Sequence, residues 1–555
     1  MKKLISILLV TVMLFAVMAP MASAVNAYDY LPTIYIRGNG EALYYPDGTR
    51  LVASFDDLSL GGEEGGIDKD TIVETAVNIL KPFVMEGMVF DKWDNYGKAI
   101  YEELKPLFPD AGLDENGNPL KGTGISASQQ DLKNRLPHSV WEYNNKRDYP
   151  FFYDWRLSPY DYVDELHTFI LQIMDTTKKD KVNIWARCLG GGLLSAYLQK
   201  YGHLGHVKNV IFGQVLSNET TVISKSFSGQ IEFNAKLVER YAGQLDYLGN
   251  SGEGVGFVFS DLLYEIVFKT MDFFNQINVT DKALDEIEAL YARLYKALVP
   301  ALCHAVGIAT QVNYWTGVAE EDMDAALDLM FGKEGSELRT KYAGLIAKIQ
   351  MYRENVSGNL KGFYDGLQAN KIHFGFVANY GMLNAPMTKD ADLLSDSLVS
   401  LEHGAFGATC AKIGKTLSDD YINARVAEGK GKYISPDKQV DLSTAYSPDT
   451  TWVVKNAHHD NFDAPFMGIL RAFLNGTEET VESIGAPRYQ IYDYNTKKVS
   501  AMTEENCGEL EFMSLPEENP TTETRLVSFM RFFTMIMDFF TKLFKGELVL
   551  GNLFG

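Results

Sequence analysis

The chain has 555 residues, 46% hydrophobic and 22% charged, enough apolar material for a sizeable core and without the bias of a disordered or fibrous sequence. Its formal charge of −22 excludes nucleic acid and anionic lipid as partners drawn in by long-range attraction, and favours neutral, zwitterionic or cationic ones, or an apolar grip. Four widely separated cysteines, Cys188, Cys303, Cys410 and Cys507, have the spacing of neither a zinc site nor a disulfide scaffold, so no metal and no cofactor is expected.

In chain order, Lys2-Lys3, an apolar run from Leu4 to Met18 and Ala22-Ser23-Ala24 read as a secretory signal peptide over residues 1–24, and predict an exported protein, secreted or held at a surface. Thr33 to Ile36 is β-branched and ends at Gly38-Asn39-Gly40, a strand running into a tight turn. Pro46-Asp47-Gly48 centres a hairpin, and residues 68–107 carry apolar positions at helical spacing. Strands follow at Tyr149 to Trp155, Lys181 to Trp185 and Val207 to Val215, separated by helical stretches from Tyr160 and Leu193. That alternation predicts an α/β chain with a doubly wound, mainly parallel sheet. Residues 227–367 are helical in period, as in Leu284, Ile287, Leu290, Leu294 and Leu298, and predict a helical cap inserted between a first core segment, 25–226, and a second, 368–520. Strand signals return at Ile372 to Ala378 and Thr450 to Lys455. The tail, 521–555, places Ser528, Arg531, Thr534, Asp538 and Lys545 on one narrow polar stripe of an apolar helix. Two readings stay open for it: a helix lying on a membrane surface, or one packed on the protein.

The chemistry concentrates at Ile184-Trp185-Ala186-Arg187-Cys188-Leu189-Gly190-Gly191-Gly192. A buried strand meets a helix through small residues, the sequence context of a nucleophile elbow, with Ala-x-Cys-x-Gly where Gly-x-Ser-x-Gly is usual. Such an elbow asks for an acid and then a histidine further along, because a base must touch the nucleophile and be oriented by a third group. The loop after Tyr380 offers Asp390, Asp392 and Asp396; the loop after Lys455 offers the adjacent His458 and His459. Asp154 and Arg156 read as a structural pair.

Ile36-Arg37-Gly38-Asn39-Gly40, Tyr153-Asp154-Trp155-Arg156, the elbow, and Ser395-Asp396-Ser397-Leu398-Val399 together resemble the lecithin:cholesterol acyltransferase-like branch of the α/β-hydrolase lipases. The resemblance covers residues 30–40, 150–220 and 372–470; cysteine replaces the serine nucleophile and Ser397 a glycine. It implies Cys188 as nucleophile, Asp396 as orienting acid and His459 as base, with the N–H groups of Leu189 and Asn39 forming an oxyanion hole. It also implies a lipid or other acyl-ester substrate, hydrolysed or transferred through an acyl-cysteine. The alternative expectation is an inactive α/β-hydrolase fold serving as a lipid- or ligand-binding module.

Overall fold

A computed structural model of the chain describes residues 30–39, 42–53, 75, 78, 92–130, 148–232, isolated positions between 237 and 248, 295–386, 388–461, 464–477 and 479–513. The signal-peptide expectation, most of 54–91, residues 251–294 and the tail lie outside them.

Ten strands are described: β1 (Thr33–Ile36), β2 (Asp148–Phe151), β3 (Val182–Arg187), β4 (Val207–Gly213), β5 (His373–Tyr380), β6 (Thr409–Cys410), β7 (Val440–Asp441), β8 (Thr451–Lys455), β9 (Tyr489–Asp493) and β10 (Lys498–Ala501). Eight make one sheet in the order β10-β9-β8-β5-β4-β3-β1-β2, and β6 pairs with β7 apart from it. Every pairing in the large sheet is parallel except the edge hairpin of β9 and β10. The expected α/β class and mainly parallel sheet are therefore present. From β1 the chain goes outward to β2, then returns to the other side of β1 as β3. The order reverses there, and in such sheets ligands bind beyond the carboxyl ends of the strands at that point.

Alternation along each strand builds two cores. Ile184, Ala186, Val210, Phe212, Phe376, Ala378 and Val453 face one apolar cluster, while Trp185, Ile211, Val377, Trp452 and Val454 face the other. The period of two is that of a pleated strand buried on both sides. The first face is covered by α1 (Trp93–Leu104), α2 (Val163–Thr177), α3 (Gly190–Tyr201), α4 (Thr221–Phe227), α5 (Met323–Phe331), α6 (Ala343–Asn355) and α7 (Leu360–Ala369). The second receives α8 (Ala464–Asn475) through Ile469, Leu470, Phe473 and Leu474. Asn183 and Asn209 donate from β3 and β4 to the Leu474 carbonyl at 2.6 and 2.8 Å, fastening that helix end to the sheet.

The stretch expected as an inserted helical cap is mainly helical where described, and its second half shares the first apolar cluster with the sheet. Tyr364 of α7 lies edge-on to Phe212 of β4 and Phe376 of β5, and Leu345 and Ile349 of α6 share the first cluster with α3. An apolar stripe at helical spacing is equally satisfied by a sheet face and by a lid, so periodicity does not distinguish them.

Candidate active site

The carboxyl edge of the sheet is crowned by left-handed backbone. The residue directly after β3 is Cys188 (φ 54°), after β4 Gln214 (φ 46°), after β5 Gly381 (φ 95°) and after β8 Asn456 (φ 57°). Left-handed conformations disfavour side chains other than glycine, and they persist where surrounding bonds over-determine them. At Cys188 those bonds are visible. Its N–H donates to the Gly213 carbonyl at 3.3 Å, and its carbonyl accepts from Gly191 at 3.0 Å and Leu216 at 3.2 Å. The thiol is thus held on a sharp turn between β3 and α3, at the N-terminal end of a helix whose dipole favours negative charge. Gly190 makes the turn possible, since a Cβ there would lie 2.5 Å from the carbonyl oxygens of both Ile36 and Arg37.

The loop after β1 closes on the same turn. A Cβ on Gly38 would lie 2.6 Å from the Cys188 Cβ and 3.2 Å from the Leu189 nitrogen, and the Asn39 Oδ1 is 3.9 Å from the Cys188 Sγ, a long thiol contact. Tyr153 Oη donates to the Arg37 carbonyl at 2.9 Å and fixes this loop. Neither Leu189 N–H nor Asn39 N–H donates to a protein acceptor among the described contacts.

Asp396 and His459 are brought together from loops after β5 and β8. His459 Nδ1 stands 2.8 Å from Asp396 Oδ2, and the His459 N–H donates to the Asp396 carbonyl at 2.8 Å. The other carboxylate oxygen, Oδ1, accepts N–H bonds from Leu398 and Val399 at 2.9 and 2.7 Å, in a turn that requires φ 81° at Ser397. Glycine would take that φ without strain; here serine takes it. The His459 Nε2 is buried, with the Cys188 thiol as its side-chain neighbour. Burial alone would pull the imidazole down, but Asp396 and then Cys188 oppose it, and the group is held well above the usual histidine range. Asp396, His459 and Cys188 are 1%, 6% and 7% exposed, so these interactions act with little water between them.

The neighbours have other duties. His458 Nδ1 accepts from the Asp460 N–H at 3.3 Å, and burial pushes this imidazole below the usual range, the neutral state. Asp392 pairs with Lys412 at 2.7 Å on a half-exposed surface, and Asp390 sits in a turn at φ 65°. Asp154 and Arg156 form a fully buried pair at 2.6 Å. The guanidinium also donates to the carbonyls of Asp110 and Ala111 and to Thr123 Oγ1, a framework role.

Three residues make supporting contacts that carried no signal in the sequence. Asn313 Nδ2 donates to the carbonyls of Trp155 and Leu189 at 3.2 and 3.3 Å, tying the Asp154–Arg156 turn to the elbow. Asn379 Nδ2 donates to the carbonyls of His458 and Asn461 at 3.0 and 3.2 Å. Arg187 reaches the His459 carbonyl across the edge of the sheet. Each acts on backbone far away in the chain, where no local spacing can announce it. Among the described residues no group of histidine, cysteine and acidic side chains is placed to hold a metal. Comparison with protein-family models, with curated proteins and with solved structures finds no match to this chain.

Proposed function

We propose that the chain is an exported acyl-ester hydrolase or acyltransferase of the α/β-hydrolase type, working through an acyl-cysteine on a lipid or other acyl ester. One observation carries the reading. A cysteine at positive φ, a histidine whose buried Nε2 neighbours that thiol, and a carboxylate 2.8 Å from the histidine's Nδ1 meet at the carboxyl edge of a parallel sheet, on loops in the order nucleophile, acid, base.

In this mechanism the thiol proton passes to His459 Nε2, whose raised basicity favours that transfer, and the Cys188 Sγ attacks the ester carbonyl carbon. The carbonyl oxygen becomes an oxyanion facing the N–H groups of Leu189 and Asn39. Collapse breaks the carbon–oxygen bond, and the departing alkoxide takes the proton from His459. Water or an alcohol, deprotonated by the same imidazole, then attacks the thioester and regenerates the thiol. Asp396 keeps the imidazole oriented and offsets its positive charge without itself taking the proton. The two carboxylate oxygens divide the work, Oδ2 to the imidazole and Oδ1 to backbone N–H groups.

A second reading is favoured by one contact. Asn39 Oδ1 stands 3.9 Å from the Cys188 Sγ and competes with His459 for the thiol proton, as in a binding module of the same fold. Rates on short p-nitrophenyl esters and thioesters, together with adduct mapping after a thiol-directed acyl probe, separate the two. An enzyme acylates at Cys188 and loses turnover by orders of magnitude in Cys188→Ala. A binding module gives no adduct and no rate to lose.

A further inference from the structure

Arg187 is the last residue of β3 and directly precedes the candidate nucleophile, yet its guanidinium works on the histidine loop. One nitrogen, Nη2, donates to the His459 carbonyl at 2.6 Å and lies 3.0 Å from Asp460 Oδ1. The partners are separated by 272 and 273 positions in the chain. We propose that Arg187 is a positioning residue: it clamps the backbone of His459 to the strand that carries Cys188 and so sets how the imidazole meets the thiol. This rests on the acyl-cysteine reading above.

The remaining bonds of the loop show why a clamp at this point matters. The His459 N–H is held by the Asp396 carbonyl, and the His458 carbonyl by Asn379 Nδ2. The His458 N–H is held by Asn461 Oδ1 at 2.8 Å, which also accepts from Tyr494 Oη at 2.8 Å. These anchors lie on β5, the acid loop and the β9 end, the two strands being the immediate neighbours of β8. Among the described backbone bonds of this loop, the one to the His459 carbonyl runs to β3. Without it, the imidazole stays paired with Asp396 while the whole acid–base unit can shift relative to the thiol. A bond from a cationic donor is short and strong, as here, whereas the half-exposed Asp460 carboxylate adds little. The charges around the imidazole are Asp396, Asp460, Arg187, Cys188 and, in its neutral form, His458. Arg187 and Asp460 largely cancel at long range, which leaves geometry as the guanidinium's contribution.

The experiment uses the full chain and follows modification of Cys188 by iodoacetamide from pH 5.5 to 9.5, with the adduct mapped by mass spectrometry and a thermal melt for every variant. The wild type should react readily at pH 6. Arg187→Met should react about ten-fold more slowly there and as fast as the wild type at pH 9.5, where the thiol ionises without the imidazole. Arg187→Lys, which still reaches the carbonyl, should recover much of the acid-side rate, and Asp460→Asn should stay within about two-fold of the wild type. A residue serving the fold alone would change both ends of the profile and the melt. Arg187→Met matching the wild type at pH 6, or slowed equally at every pH, overturns the clamp while the acyl-cysteine reading stands. A wild type inert at pH 6 overturns that reading, and the clamp with it. If Arg187→Met fails to fold, the lysine variant decides: a profile lacking acid-side reactivity despite its retained charge and reach contradicts the proposal.

Discussion

Alanine at Gly38 adds one methyl group where the candidate site has no room. The new carbon would stand 2.6 Å from the Cys188 Cβ, 2.9 Å from its Sγ and 3.2 Å from the Leu189 nitrogen. Carbon atoms pack at about 3.5–4.0 Å, so the shortfall is about 1 Å. Cys188 cannot retreat, because three main-chain bonds hold it at φ 54°. The β1 loop must move instead, and overpacking of this kind costs about 1–3 kcal/mol of stability. The effect on rate should be larger than the effect on folding. If the methyl stays, it covers the space between thiol and Leu189 N–H where the oxyanion would form; if the loop recoils, it carries Asn39 away. Either way one donor is lost, a change worth about 100- to 1,000-fold in turnover. Initial rates on a short p-nitrophenyl ester, measured beside thermal melts, test this. A variant that melts cooperatively and keeps more than about a tenth of the wild-type rate would refute the placement of the reacting carbonyl. Gly190→Ala is the contrast: its Cβ would meet backbone carbonyls at 2.5 Å, so it should impair folding and rate together.

Three further outcomes are expected. His459→Ala should lower ester turnover by at least about 100-fold while remaining folded, and His458→Ala should change it little; the reverse result would transfer the base to His458. Arg156→Met strands the buried Asp154 carboxylate and should cost about 3–5 kcal/mol, read as a lower denaturant midpoint, whereas an unchanged midpoint would show the pair to be energetically idle. Burial, then repulsion from Glu321, pushes the Glu219 carboxyl up from 4.5 to about 7. The folded chain therefore keeps a proton that the unfolded chain releases, and this group's contribution, full below pH 4.5, is lost as pH rises through about 7. Glu219→Gln should leave the melting temperature unchanged at pH 4.5 and raise stability at pH 8 by on the order of 2 kcal/mol; parallel melting curves across that range would contradict it.

How far the sequence speaks depends on whether a feature is local. The elbow is local: an apolar strand, a small-residue turn and a helix are contiguous, and the turn is found at Cys188 with the required positive φ. The acid and the histidine could be assigned to loops, but choosing among neighbours needed three-dimensional pairing. Asp396 rather than Asp392 meets the imidazole, and His459 rather than His458 meets the acid. Strand β9 carries its own signal, since Tyr489 to Tyr492 are all buried and Asn495-Thr496 forms a turn, yet it escaped the reading. Strand β10, Lys498 to Ala501, is polar and largely exposed, and exists because β9 offers it an edge. The helices of 343–369 share the first apolar cluster with the sheet, and their apolar stripe alone does not say whether a sheet face or a lid is its partner.

The depth of the candidate nucleophile bears on which molecule finishes the reaction. With Cys188 only 7% exposed and His459 6% exposed, bulk solvent has little direct access to the sulfur. An acyl group carried there would leave by competition between acceptors, and the winner would be set by what the entrance admits rather than by the concentration of water outside. Partition ratios measured against rising alcohol concentration would therefore describe this protein better than a hydrolytic rate alone. A steep preference for an alcohol at millimolar levels would mark a transferase whose selectivity is built from exclusion.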